Sequence, residues 1–272
     1  MGLQMPIWSE LRAESFQDAV LVNSTLTPAL PPGEVHLWRA RLDRQTDALA
    51  DFSRILSPGE RERAARLRHT VDRDHFVLRR GVLRAILSLY LAVAPSKVQF
   101  AYGRYDKPFL ASGFHQRRLS FNLAHRRGIA LYAVTSQGAV GVDIEYVELL
   151  SNLEGVTTSS FSERELDVLR MVPEGERLLA FFTGWTRKEA FLKALGEGLT
   201  RPLSQVEVYL SSNTTDVRVS EGLGARGRFW KVATVVPVPG YVGAVAAEGG
   251  DWRIKWLDWQ APEPGHTGHP SS

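Results

Sequence analysis

The chain has 272 residues, 44% apolar and 23% charged, an ordinary composition for a soluble protein with a substantial core. No apolar run is long enough to span a bilayer, no charged-then-apolar leader opens the chain, and the lack of cysteine excludes disulfides and cysteine-ligated zinc. These features fit a cytoplasmic protein with no membrane partner. The net charge of +3 is unevenly spread, because residues 54 to 84 hold nine arginines against Glu60, Glu62, Asp72 and Asp74. Such an excess suits a polyanionic ligand, although it also describes a solvated helix face.

In chain order, residues 1–33 read as a weakly ordered lead-in that ends at Pro31-Pro32-Gly33. Val35–Trp38 is a strand pattern. Ser57-Pro58-Gly59-Glu60 is a capping box with proline at the first helical position. A long helix is expected over about 72 to 93, followed by a strand at Ser96–Phe100. Leu119–Leu123 and Gly128–Val134 are further strands, with His125 at the end of the first. Val140–Asp143 begins another. Ser162-Glu163-Arg164-Glu165 is a second capping box, with Phe161 and Leu166 placed as a hydrophobic staple. A second long helix covers about 176 to 195 and stops at Gly196 and Gly198. Strands follow at Ser204–Val208 and Gly240–Ala246. Residues 261–272 read as a disordered Pro/Gly/His-rich tail.

Corresponding segments recur at an offset of about 105 to 112 residues, which reads as two α+β halves of one plan joined near Gln137-Gly138. The expected division is a first half over 34–137 and a second over 138–260. The cleft between them is the natural ligand site.

Within Val140–Glu145, apolar Val140, Val142 and Ile144 alternate with Gly141, Asp143 and Glu145. In a strand both carboxylates then share one face. Paired hard oxygens suit Mg²⁺, while a strand with a polar solvent face has the same pattern. Trp185, Glu189 and Lys193 fall at i, i+4 and i+8 on one helix stripe; the last two also suit a surface ion pair. His125 at a strand end suits either a functional or a structural role.

Together, Phe121-Asn122-Leu123-Ala124-His125, Gly141-Val142-Asp143-Ile144-Glu145, Phe161-Ser162-x-x-Glu165 and Trp185-x-x-Lys188-Glu189-Ala190-x-x-Lys193-x-x-Gly196-x-Gly198-Leu199 resemble the 4'-phosphopantetheinyl transferases, specifically the two-half, monomeric Sfp type. The resemblance spans about residues 35 to 258 and includes the order and spacing of the motifs. It implies an α+β fold of two pseudo-symmetric halves, each an antiparallel sheet packed on a long helix, with the active site between them. It implies Mg²⁺ or Mn²⁺ held by Asp143, Glu145 and Glu189, and coenzyme A as co-substrate. Lys193 and His125 would contact the cofactor's phosphate chain, and Arg63 and Lys107 its adenosine end and 3'-phosphate. Glu189 would double as general base, and Glu189, Lys193 and His125 would form the catalytic set. The partner would be an apo carrier protein of acyl, peptidyl or polyketide type, and apolar Val156, Phe161, Leu166, Leu169 and Met171 are candidates for its docking surface. Arg61, Arg80 and Arg84 carry no single assignment, since each suits a phosphate contact, packing or the surface. The chain departs from the pattern at Ala124 and Arg126, where serines usually flank the histidine, at Glu60, which replaces a basic residue, and in its longer lead-in. Competing readings are a metal-dependent coenzyme A or nucleotide phosphohydrolase and a non-catalytic basic module. The second ranks last, because no aromatic platform or nucleic-acid motif accompanies the arginines.

Overall fold

The computed structural model describes residues 14–15, 20–22, 28–103, 107–117, 119–196, 202–208, 210, 217–219 and 229–260. The tail 261–272, together with Gly198 and Leu199, lies outside the described residues. Two short strands, β1 (Glu14–Ser15) and β2 (Val20–Val22), fall in the lead-in. The first half then runs β3 (Glu34–Arg41), α1 (Leu49–Ile55), α2 (Pro58–Ala65), α3 (Thr70–Leu91), β4 (Phe100–Tyr102), β5 (Pro108–Leu110), β6 (Ser120–Arg126) and β7 (Ile129–Thr135). The second runs β8 (Val140–Tyr146), α4 (Leu153–Ser160), α5 (Glu163–Met171), α6 (Glu174–Leu195), β9 (Val206–Val208), β10 (Val217–Val219), β11 (Trp230–Val236) and β12 (Tyr241–Glu248), before β13 (Arg253–Trp259).

The internal repeat is visible in the strand order. β3-β7-β6 and β8-β12-β11 are equivalent antiparallel triplets, and each half adds a two-stranded ribbon, β4-β5 or β9-β10. The period-2 pattern assigns the faces. Val35, Leu37, Ile129, Leu131, Val140, Val142, Ile144 and Val245 fill a core between the two sheets. Trp38, Ala40, Tyr132 and Val134 turn the other way, into a core with α3. Val242, Ala244 and Ala246 do the same with α6. The layers are therefore helix, sheet, sheet, helix. Where β6 adjoins β8, the Val142 N–H donates to Asn122 Oδ1 (2.8 Å), a side-chain link between the sheets.

Two expectations are corrected. The division at 138–260 does not hold for the last strand: β13 crosses back and runs parallel to β3, with β2 parallel on its outer edge. Leu257 and Trp259 belong to the first core, Arg253 pairs with Glu34 (2.7 Å), and Arg39 pairs with Asp258. Within the lead-in, β1 extends the second sheet, parallel to β11. The sheets are thus antiparallel at their centres and parallel at these edges. Finally, residues 95–97 form a 3₁₀ turn begun by Pro95, so the strand expected from Ser96 starts only at Phe100.

Candidate active site

The acidic wall follows from one close approach. A Cβ on Gly141 would lie 2.0 Å from the Ala190 carbonyl oxygen and 2.4 Å from the Ala194 nitrogen. Only glycine lets α6 lie this close on β8. That seats Glu189 and Lys193 beside Asp143 and Glu145, which share the Gly141 face of the strand. Lys193 Nζ donates to Asp143 Oδ1 (2.5 Å). Gly196, at φ 75°, takes the left-handed cap that ends α6, and its N–H donates to the Leu192 carbonyl (3.1 Å).

Asp143, Glu145, Trp185, Glu189 and Lys193 line one side of a cleft of about 810 Å³; Arg63, Phe76, Arg79, Arg80, Tyr102, Lys107 and His125 line the other. The structure therefore brings together every residue that the sequence reading assigned to the site. It adds Arg79, which that reading counted only within the basic run. Arg79 donates to His125 Nε2, so that nitrogen accepts. Burial, then the Arg79 charge, pushes the His125 pKa down to about 4, so the imidazole is neutral near pH 7. Lys107 Nζ donates to the Lys193 carbonyl, tying the first half to the end of α6. Burial, reinforced by Lys193, lowers its pKa to about 8. Arg104–Asp106 of its motif lie outside the described residues.

The arginine excess divides. Glu60 is buried, accepts from Arg80 Nε and Arg84 Nε at 2.7 Å each, and closes the predicted capping box on Ser57. Burial opposes its charge, but Arg80, the Ser57 N–H and Arg84 outweigh it and hold its pKa down. Arg84 also donates to the Val98 carbonyl (2.8 Å). The acid that departs from the family pattern thus anchors two arginines inside the fold. Arg63 stays exposed, 6.0 Å from the Phe76 ring centroid.

Two of the resembling motifs hold each other. Lys188 is fully buried; its Nζ donates to Glu165 Oε2 (2.5 Å), Ser160 O (2.9 Å) and Leu203 O (3.1 Å) and lies 4.6 Å from the Phe161 ring centroid. Glu165 also accepts from the Ser162 and Val208 N–H groups. Phe161, Leu166 and Leu169 are core rather than docking surface, whereas Met171 is exposed and Val156 half-buried.

Asp143 Oδ2 and Glu189 Oε1 are buried without a hydrogen-bond partner among the described residues. Burial raises the Asp143 pKa against the pull of Lys193. Burial, then the neighbouring Asp143, raises that of Glu189 to about 7. Burial also raises Glu145, opposed by Arg126, whose Nε lies 3.0 Å from its carboxylate. Among the described residues no three acids or histidines converge as a ready-made ligand set. Lys193 and Arg126 instead hold two of the three acids. Even so, buried hard oxygens that resist ionisation alone are the donor chemistry that fits a divalent cation.

An α+β pseudo-dimer with an acidic wall facing a basic one suits a polyanionic ligand paired with a cation. Residues 139–246 match the model of the 4'-phosphopantetheinyl transferase superfamily. The chain is 37% identical over 223 residues to the 4'-phosphopantetheinyl transferase HetI of Nostoc sp., covering 82% of this chain and 91% of that one. It is 30% identical over 196 residues to the 4'-phosphopantetheinyl transferase Sfp of Bacillus subtilis, covering 72% and 84%. The 4'-phosphopantetheinyl transferase ffp of Bacillus subtilis is 28% identical over 78% of this chain and 90% of its own. The chain belongs to the 4'-phosphopantetheinyl transferase superfamily and is an enzyme of that class. No described helix is long and apolar enough to cross a membrane.

Proposed function

We propose that this enzyme moves 4'-phosphopantetheine from coenzyme A to a serine of an apo carrier protein, of acyl, peptidyl or polyketide type, and releases adenosine 3',5'-bisphosphate. The observation that carries the reading is the buried pair Asp143 and Glu189, each with an unpartnered oxygen, in a cleft whose opposite wall is basic. Asp143, Glu145 and Glu189 would hold Mg²⁺ or Mn²⁺. When bound, that ion would supply neutralising charge for the pyrophosphate oxygens. Lys193, whose Nζ donates to Asp143 Oδ1, would reach the phosphate chain from the acidic side. Arg63 and Lys107 meet the adenosine end and its 3'-phosphate. Neutral His125 holds the Arg79 guanidinium toward the cleft, where its planar fork suits phosphate oxygens.

Chemically, the serine oxygen forms a bond to the β-phosphorus as the bond from that phosphorus to the bridging oxygen breaks. The oxygen leaves with the nucleotide, and the serine proton goes to Glu189. Glu189 sits beside Asp143 with one buried oxygen free of protein partners among the described residues, which leaves that oxygen available to accept the proton. The enzyme would act as a monomer in the cytoplasm, on carriers whose acidity suits its basic wall. The test is incubation with coenzyme A, Mg²⁺ and a panel of apo carriers, read by intact mass. The expected result is one added phosphopantetheine on a carrier serine. No addition across the panel, or cleavage of the cofactor without a carrier, overturns the reading in favour of a hydrolase or a binding module.

A further inference from the structure

Arg126 stands at the end of β6, next to His125, and its guanidinium has two carboxylates to choose from. Its Nε lies 3.0 Å from Glu145 Oε2, on the cleft wall, and one of its terminal nitrogens donates to Glu148 Oε1 (3.1 Å), which is not among the cleft-lining residues. Glu148 is itself held by Arg127, whose guanidinium lies 4.5 Å from the Tyr146 ring centroid. Arg126 therefore has a second, anchored partner outside the cleft lining to keep if it gives up Glu145. Side-chain exposures are 42% for Arg126, 23% for Glu145 and 29% for Glu148, but Nε itself is buried and makes no hydrogen bond among the described residues, so its hold on Glu145 is a charge contact alone, which a competing cation can replace. Glu189 differs: it keeps an unpartnered buried oxygen.

We propose that Arg126 is a resident counter-cation that competes with the divalent ion for Glu145 and so sets the ion concentration at which the acidic site fills. This rests on the carboxylate-site reading above. A guanidinium and a divalent ion repel each other across one carboxylate. The ion must displace Arg126 onto Glu148 or bind chiefly through Asp143 and Glu189. In the absence of ion, Arg126 offsets the repulsion among the three acids. Arg126 is thus a positioning residue that acts through Glu145.

The test is calorimetric titration of Mn²⁺ into the full-length protein without coenzyme A. Arg126→Gln is expected to tighten Mn²⁺ binding about three- to tenfold, the scale of a half-exposed ion pair plus a removed like charge. Glu148→Gln is expected to weaken it, because Arg126 then stays on Glu145; this arm keeps the test open if Arg126→Gln folds poorly. Glu145→Gln should cost more affinity in the Arg126→Gln background than alone. Unchanged or weaker Mn²⁺ binding by Arg126→Gln, with binding lost in Glu189→Gln, overturns the proposal and leaves the site reading intact. Equal binding by the natural protein and Glu189→Gln, or none by either, overturns both.

Discussion

Replacing Gly141 with alanine perturbs the contact that builds the acidic wall. The new Cβ would sit 2.0 Å from the Ala190 oxygen, 2.4 Å from the Ala194 nitrogen and 3.0 Å from the Ala194 Cα. An ordinary carbon–oxygen contact begins near 3.3 Å, so α6 must retreat by about 1.3 Å. All three obstructing atoms are backbone, so no side chain can rotate aside. Overpacking of this kind costs about 1–3 kcal/mol, and the upper end is expected here. The retreat also carries Glu189 and Lys193 away from Asp143, and a misplacement of about 1 Å costs on the order of 10² in rate. Gly59→Ala is the control, because nothing lies within 4 Å of its Cβ. Urea unfolding and carrier-modification rates on both variants decide the matter. Gly141→Ala should lose about 3 kcal/mol and about a hundredfold in rate while Gly59→Ala loses neither. If Gly141→Ala stays within 0.5 kcal/mol and threefold of the natural protein, roughly the range of a neutral surface change, the close approach is not what positions the wall.

Lys188→Met leaves Glu165 buried without its cation and should lower unfolding free energy by about 3 kcal/mol; a loss under about 1 kcal/mol in urea titration would contradict the tie. Glu189, raised from 4.5 to about 7, makes the folded metal-free protein hold a proton that the unfolded chain gives up. Its contribution is therefore fully present below pH 4.5 and is lost as pH rises through about 7, by at most about 3 kcal/mol. The stability difference between the natural protein and Glu189→Gln, followed across this window, should move against the natural protein, and a flat difference refutes the shift. Lys107→Ala should raise the KM for coenzyme A about tenfold, with a smaller effect on kcat, by the scale of one charge-assisted phosphate contact. An equal effect on dephospho-coenzyme A, which lacks the 3'-phosphate, would remove Lys107 from that end of the cofactor.

Much of the site was legible because its signals are local. Alternation at 140–145 puts Asp143 and Glu145 on one face, and helical spacing puts Glu189 and Lys193 on one stripe; the two elements then need only meet. Both capping boxes are present with both hydrogen bonds, since a cap is decided within four residues. What was not legible depends on contacts distant in sequence. The return of β13 to β3 is a pairing across about 220 residues, for which local pattern has no signal. Glu60 looked like a gap in a basic run, yet it is the buried partner of Arg80 and Arg84. Phe161, Leu166 and Leu169 were apolar in a segment expected to meet a partner, but α6 covers them. The staple reading of Phe161 and Leu166 already pointed inward and agrees with their burial.

The most direct test of the central claim is the single-turnover rate of phosphopantetheine transfer by Glu189→Gln at saturating Mg²⁺ and coenzyme A, with circular dichroism confirming its fold. The glutamine keeps the shape and removes both the charge and the proton acceptor. Loss of those functions should slow transfer by about 10³ or more while the carrier still binds. A folded Glu189→Gln that transfers within tenfold of the natural rate would contradict the account.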